Sequence, residues 1–401
     1  MLSFDEAIEI IHGLPAGGAT ERAGLTDADG RVLAEDVRLD RDVPGFDRAT
    51  MDGYAVALDG DSTTFTVVGT VHAGENKDIA PSPGEAIRIM TGAPCPPGVT
   101  VVPIERTNRG LETVTIEADA LLPGKNIAWQ GEDGRSGDPV ANAGQRLNPM
   151  MLSSIAMAGA TEVLVWRRPR IGIVTTGDEV GGGGRAGIRD SNGPLLLTLL
   201  RAYGCEVSRS HAKDDPDALR ETLHSAARHS DCVVTVGGVS AGAKDLVPKT
   251  AEDLGFATVF HKVAMQPGKP VLVCRHDDGR YFVGLPGNPV SVIATAHLIL
   301  GPVLGRLLGG WEPAWIELPL ARPFTHHGKR RLFLPARLRE GGVDPVPWNG
   351  GGDLLAAATG DGLIDASPGT DRAAGENIRF LPYVGARITD HGALPPRAPR
   401  S

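Results

Sequence analysis

A chain of 401 residues is longer than one hydrophobic core usually serves, so roughly two to four domains are expected. With 41% hydrophobic and 22% charged residues the composition is that of a folded globular protein, and a formal net charge of -9 excludes the broad basic face that a nucleic-acid partner requires. Any anion site must therefore be local. Cys95, Cys205, Cys232 and Cys274 show no CxxC spacing and read as small buried residues of a reducing compartment. The N-terminal MLSFDEAIEIIHGLP lacks the basic region and long apolar stretch of a signal peptide. The longest apolar candidate, 290–308, is interrupted by His297, Gly301, Pro302 and Arg306, so no membrane span is expected and the protein is placed in the cytoplasm.

In chain order, Phe4, Ala7, Ile8, Ile10 and Ile11 lie at helical spacing after Ser3, with Glu6 three residues on, which predicts a short capped helix. Residues 25–42 mix strand-like alternation with charges and lead into PGFDRATMDGYAV, a loop-rich stretch carrying Asp47, Asp52 and Tyr54. From 55 to 145, short runs such as FTVVGTV, AIRIM, TVVPIE and ETVTI alternate with Gly and Pro clusters, predicting a small β domain. In its NIAWQGEDG loop, Glu132 and Asp133 are a carboxylate pair of the kind that holds a hard cation or is simply hydrated. Residues 148–159 predict an apolar helix capped by Asn148, with Pro149 in its first turn and Gly159 at its end.

From about 169 strand and helix patterns alternate: RIGIVTTG, SNGPLLLTLLRAYG, CEVSRSHAK, DPDALRETLHSAARHS, DCVVTVGG and KDLVPKTAEDLG. That alternation predicts a doubly wound α/β domain with a parallel sheet, followed by a hairpin around 277–279 and a helix from near Asn288. After about 310 the chain returns to short strands, IELPLA, RLFLPARL, ENIRFLPYV and ARITD. The expected fold class is thus α/β plus β, multidomain: 1–54 with 146–168 as a linking and helical unit, 55–145 as a small β domain, 169–310 as the α/β domain and 311–401 as a C-terminal β domain.

Three strand ends of the α/β domain carry polar, glycine-supported turns: TTGDE at 175–179, GGVSAGAKD at 237–245 and GLPGNPVS at 284–291. If the strands are parallel neighbours, all three open on one sheet edge, where open α/β sheets bind ligands. Asp178, Glu179 and Asp245 supply carboxylates; Ser240, Ser291 and Lys269 supply donors, and the helix starting near Pro289 adds its amide end. Carboxylates beside anion donors suit a divalent metal bridging to phosphate. No serine has an obvious triad, which disfavours acyl transfer. Singly, each residue also fits a plain role, Asp178 as a helix cap, Lys269 as a hydrated side chain, Ser291 in its own first turn.

The segments PGFDRATMDGYAV, IMTGAPCPPGVTVV, GEDG, IGIVTTGDEV, DSN (190–192), GGVSAGAKD, MQPGKP and GLPGNPVS, in this order, resemble the molybdopterin molybdenumtransferases, represented by bacterial MoeA and the E domain of gephyrin. The resemblance covers nearly the whole chain and identifies the α/β domain as the molybdopterin-binding type. It implies transfer of molybdenum from molybdate into adenylylated molybdopterin with release of AMP, assisted by Mg²⁺, in a homodimer whose cleft joins the α/β domain of one subunit to N-terminal domains of the other. By motif position it implies that Asp52, Asp133, Glu179 and Asp245 are functional acids, with Glu179 and Asp245 on the metal or the attacking water. Ser240, Lys262, Lys269 and Ser291 match positions around the oxyanion and pterin pocket, Pro286 and Pro289 shape the adjoining loop, and Arg330 comes from the C-terminal domain. The sequence departs from the pattern at Gln266, where many members have lysine, at Ala128 and Trp129 before GED, and at Gly351, where serine is common. Two other readings stand beside the transferase: a molybdopterin adenylyltransferase, or a non-catalytic scaffold of the gephyrin type. Partners implied by the family are the adenylyltransferase and downstream molybdoenzyme chaperones, and tungstate is a variant of the oxyanion.

Overall fold

In the central domain, the strand Arg170–Thr176 (β1) reads RIGIVTT and every residue after the first is buried, as a strand covered by helices on both faces must be. It is followed by the helix Asn192–Ala202 (α1), the strand Glu206–Ala212 (β2), the helix Pro216–His229 (α2), the wholly buried strand Cys232–Val236 (β3) and the helix Val247–Asp253 (α3). Three further strands complete the sheet: Ala257–His261 (β4), Leu272–Arg275 (β5) and the wholly buried Tyr281–Leu285 (β6). The computed structural model describes residues 1–75, 77, 79–178, 180, 187–213, 215–239 and 246–385.

The strand order is β2-β1-β3-β6-β5-β4. β2, β1, β3 and β6 are parallel neighbours, while β5 is antiparallel to both β6 and β4. The expected parallel sheet is therefore mixed, with β5 alone running against the rest. The tight turn at 276–280 is the cause, since a parallel return needs a crossover of a dozen residues or more. Alternate residues of the strands face opposite cores. Ile171, Ile173, Val234 and Val283 pack with Leu196 and Leu200 of α1, while Val174, Val233 and Phe282 pack with Leu219 and Leu223 of α2. The chain thus winds to one side of β1 and then back to the other, and the order reverses between β1 and β3.

After β6 the chain enters Pro289–Thr295 (α4), a π turn at Ala296–Leu300 and Gly301–Leu307 (α5). Although His297, Gly301, Pro302 and Arg306 were expected to keep this run short of a membrane span, Pro289–Leu307 is one 19-residue helix of mean hydropathy 1.6, long and apolar enough to cross a membrane, and 94% of its most apolar 18-residue window is buried inside the molecule. A proline inside a helix lacks its N–H and clashes with the carbonyl four residues back; the wider π turn just before Pro302 accommodates it. The helix is the core element on which the N- and C-terminal parts close.

The helix Phe4–Gly13 begins at the Ser3–Glu6 capping box, and Pro149–Met157 begins at Asn148, whose side chain accepts the Met151 N–H. Thr20–Gly24 pairs antiparallel with Glu162–Trp166, so the chain leaves and re-enters one unit there. Between them, Gly53–Ala57, Thr64–Val71, Glu85–Ile89, Val99–Pro103 and Thr113–Thr115 form a five-stranded sheet with separate cores on its faces. In the C-terminal part, Arg331–Arg339, Gly362–Ala366, Asn377–Pro382 and Ile316–Pro319 share a sheet, which Met265–Gln266 of the central domain extends in parallel.

Candidate functional site

The carboxyl ends of β1, β3 and β6 lie side by side. Thr176 Oγ1 donates to Val236 O at 3.1 Å, and Gly237 N donates to Leu285 O at 3.0 Å, which knits the three ends together. Gly237 has φ +90°, and a Cβ there would sit 2.9 Å from Thr176 Oγ1, so the turn after β3 requires glycine. Asn192, at the start of α1, donates Nδ2–H to Gly287 O at 2.8 Å and so fixes the loop after β6. Its Oδ1 is buried without a hydrogen-bond partner among the described residues. Asp190 accepts the Gly193 N–H at 2.8 Å and pairs with Arg209 of β2. The DSN triplet therefore couples the start of α1 to β2 on one side and to the β6 loop on the other.

Glu179, Ser240 and Asp245, named for the metal and the oxyanion, lie outside the described residues. Among the described residues no group of three or more His, Cys, Asp or Glu is arranged to hold a metal ion. Glu132 and Asp133 are both exposed, and Glu132 accepts the Trp129 N–H at 2.9 Å, which closes its own turn. The expectation that a GxSxG pattern is absent is corrected by the sequence itself, since residues 238–242 read GVSAG, the spacing of a nucleophile elbow. His261, whose Nε2 lies 2.9 Å from Val239 O, spends that nitrogen on the backbone. The cysteines are no better placed as nucleophiles: burial pushes the thiols of Cys95 and Cys205 up to about 12 and that of Cys274 to about 11.

A second group of elements meets at α4. Pro286 is buried, Pro289 opens the helix and Ser291 is buried in its first turn. The amide end is partly occupied, since Val290 N donates to Gly351 O at 2.9 Å and proline has no N–H. Gly351 lies so near that a Cβ on it would be 3.2 Å from Ser291 Oγ. Across the helix, the loop 262–271 closes on itself: Lys262, at φ +74°, donates its N–H to Val271 O at 2.8 Å, and Val263 N donates to Lys269 O at 3.1 Å. Gly268, at φ +103°, abuts the helix, and a Cβ there would be 2.4 Å from Thr295 Cγ2. Lys269 is exposed and Gln266 half-buried. Arg330 reaches the same loop from the C-terminal sheet, with Nη1 donating to Met265 O at 3.4 Å.

Asp52 and Asp133 stand elsewhere, on exposed loops of the N-terminal β region. Thr91 donates its backbone N–H and its hydroxyl to Asp52 Oδ1, each at 2.7 Å, and these bonds hold the Asp52 carboxyl below its ordinary range. The Asp133 N–H donates to Val43 O at 3.0 Å. Nearby, Asp47 accepts the Gln130 N–H and Asp42 the Ser136 N–H, so carboxylates shape both loops. Among the described residues, no hydrogen bond or ion pair joins Asp52 or Asp133 to the sheet edge. Sequence reasoning missed the tie from Asn192 to Gly287, whose only signal was the DSN triplet, and it missed Arg331 and Asp365, which left no motif.

Three family models match the chain in succession: the MoeA N-terminal region (domains I and II) over residues 2–159, a probable molybdopterin binding domain over 172–306, and the MoeA C-terminal region (domain IV) over 317–383. A molybdopterin molybdenumtransferase of Synechococcus elongatus is 36% identical over 372 residues, 86% of this chain and 91% of that protein. One of Staphylococcus aureus is 32% identical over 399 residues, covering 94% of each. The crystal structure of a molybdopterin biosynthesis MoeA protein from Pyrococcus horikoshii superposes with a TM-score of 0.81 at 25% identity, covering 96% of this chain and 100% of that one. With all three regions matched in order around a doubly wound sheet, this chain belongs to the MoeA family, that of the molybdopterin molybdenumtransferases.

Proposed function

We propose that this protein inserts molybdenum from molybdate into adenylylated molybdopterin, with cleavage of the adenylate and release of AMP. The observation that carries the reading is the crevice where β1, β3 and β6 end together beside the reversal of strand order, the position at which open α/β sheets take ligands. Molybdate is a doubly charged tetrahedral oxyanion and calls for hydroxyls, amides and a cation. Ser291 and Ser240 are the proposed hydroxyl donors and Lys269 the ammonium, with Lys262 and Arg330 around the pterin side of the pocket. Gln266 adds N–H donors without charge, so the dianion meets less attraction than a lysine would give it. Glu179 and Asp245 are the proposed holders of Mg²⁺, an ion that supplies neutralisation of charge at the phosphoanhydride.

Asp52, kept as an anion by Thr91, and Asp133 reach this crevice from a second copy of the chain in our reading, which makes the functional unit a homodimer. What supports this is that neither acid is tied to the sheet edge among the described residues, and that Phe46, Met51 and Trp129 stand exposed beside them. The reading places the protein in the cytoplasm, between a molybdopterin adenylyltransferase that supplies its substrate and chaperones that deliver its product, and keeps the domain divisions inferred from the sequence. The test is incubation with adenylylated molybdopterin, Mg²⁺ and molybdate. AMP release that depends on molybdate is expected, with Lys269→Ala raising KM for molybdate by about tenfold to a hundredfold through loss of a charge-assisted contact. Absence of AMP, or unchanged cofactor formation in both Lys269→Ala and Asp245→Asn, would end the assignment; ATP consumption with unmodified pterin would mark an adenylyltransferase.

A further inference from the structure

The loop 262–271 does not stand alone. On one side Leu2 forms a parallel bridge with Val263, and Ala264 N donates to Leu2 O at 2.8 Å. On the other, Met265 and Gln266 pair in parallel with Arg331 and Leu332 of the C-terminal sheet. The loop is thus the middle of three adjacent chain segments that come from the start, the centre and the end of the sequence. Each contact is made by only one or two residues, which is too short a ladder to hold register by itself.

A single guanidinium spans the two outer segments. Arg331 Nε and Nη2 donate to the two carboxylate oxygens of Asp365 at 2.7 and 2.6 Å, and Nη1 donates to Asp5 Oδ1 at 2.6 Å in the first turn of the N-terminal helix. The Arg331 side chain is 15% exposed and that of Asp365 3%, whereas Asp5 is 71% exposed. The guanidinium carbon stands 5.0 Å from the Phe4 ring centre and 5.7 Å from that of Phe333. A planar fork between a buried carboxylate and two rings is fixed in orientation in a way that a lysine ammonium is not.

We propose that Arg331, braced by Asp365, is a positioning residue for the oxyanion loop: by clamping Asp5 to the C-terminal sheet it holds Leu2 and Leu332 at the spacing that sets Gln266 and Lys269 against Ser291. This rests on the transferase reading for the identity of the anion, but not for the clamp itself. Arg331 touches no substrate; it acts through the backbone of 263–266. Because the carboxylate partner comes from strand Gly362–Ala366, the C-terminal domain sets the shape of a pocket formed in the central one.

The experiment compares the full-length protein with Arg331→Lys and with the milder Asp5→Asn, which removes the exposed arm of the clamp and leaves Arg331–Asp365 intact. Amide hydrogen exchange of 262–271 is read beside KM for molybdate and KM for adenylylated molybdopterin. In Arg331→Lys, exchange of Val263 and Ala264 should quicken while the amides of β3 stay protected, and KM for molybdate should rise about tenfold with KM for the pterin nearly unchanged, since a loop displaced by a fraction of an ångström loses its aim. Asp5→Asn should shift both readouts in the same direction and by less. Unchanged exchange of 262–271 in both variants overturns the clamp. Quickened exchange with an unaltered KM for molybdate overturns its role in positioning, and a parallel rise of both KM values with a general loss of protection reduces Arg331 to a stability residue. A wild-type protein without molybdate turnover would count against the transferase reading alone, leaving the clamp to be judged by exchange.

Discussion

His297 lies wholly inside the molecule, with Nδ1 donating to Ile293 O at 2.8 Å and Nε2 accepting the Val384 N–H at 3.3 Å. Loss of hydration pushes its pKa down to about 4. The folded value lies below the unfolded one, so as pH falls the unfolded chain takes up this proton first. Stability is intact above about pH 6.5 and is lost as pH drops to about 4, by about 3 kcal/mol from this group. Urea unfolding of wild type and His297→Gln at pH 7 and pH 4.5 checks this: the stability difference should shift toward the variant at the lower pH, and a constant difference contradicts it. Gly268 is a second single-residue test. Gly268→Ala places a methyl at positive φ and against Thr295, and should cost about 2–4 kcal/mol by denaturant midpoint. Adding Thr295→Ser, which removes the opposing methyl, should recover the steric part and not the backbone part.

Among the elements, the loop over α4 decides how much of the proposed anion site is open. Gly351→Ser puts its Cβ 3.2 Å from Ser291 Oγ, so the loop must give by a few tenths of an ångström. The expected cost is under about 1 kcal/mol, and KM for molybdate should fall, because a hydroxyl donor is added beside Ser291. Titration of wild type and variant with molybdate measures this. The parts of the architecture that sequence made legible are those with local causes. Ser3 and Glu6 form the capping box that their spacing implies, Asn148 and Pro149 start a helix, and the apolar runs of β1, β3 and β6 become buried parallel strands. The hairpin expected around 277–279 is present, and it is what turns β5 antiparallel to β6 in an otherwise parallel set of strands. Pro302, which interrupts the apolar run in the sequence, sits within one continuous helix because of a π turn that has no residue signature. Neither the parallel bridge of Leu2 with Val263 nor the Arg331–Asp365 pair was foreseeable, since each joins residues far apart in the chain through charge and backbone pairing rather than periodicity.

For the whole molecule, the central helix Pro289–Leu307 and the sheet carry the N-terminal helix and the C-terminal sheet on one continuous core, while the acids Asp52 and Asp133 sit apart on their own β region. A homodimer that brings those acids to a neighbour's crevice should elute and scatter at about twice the 42.0 kDa chain mass. Mixing Asp52→Asn with Asp245→Asn chains should then restore activity in a fraction of the dimers that neither variant forms alone, and failure to complement counts against a shared site. Whether the turns after β1, β3 and β6 meet the 262–271 loop in one oxyanion site is read from anomalous diffraction at the molybdenum edge, with crystals soaked in molybdate. A peak is expected within hydrogen-bonding reach of Ser291 and Lys269, and its loss in Lys269→Ala. A fully occupied peak elsewhere on the molecule, with none in that crevice, would contradict it.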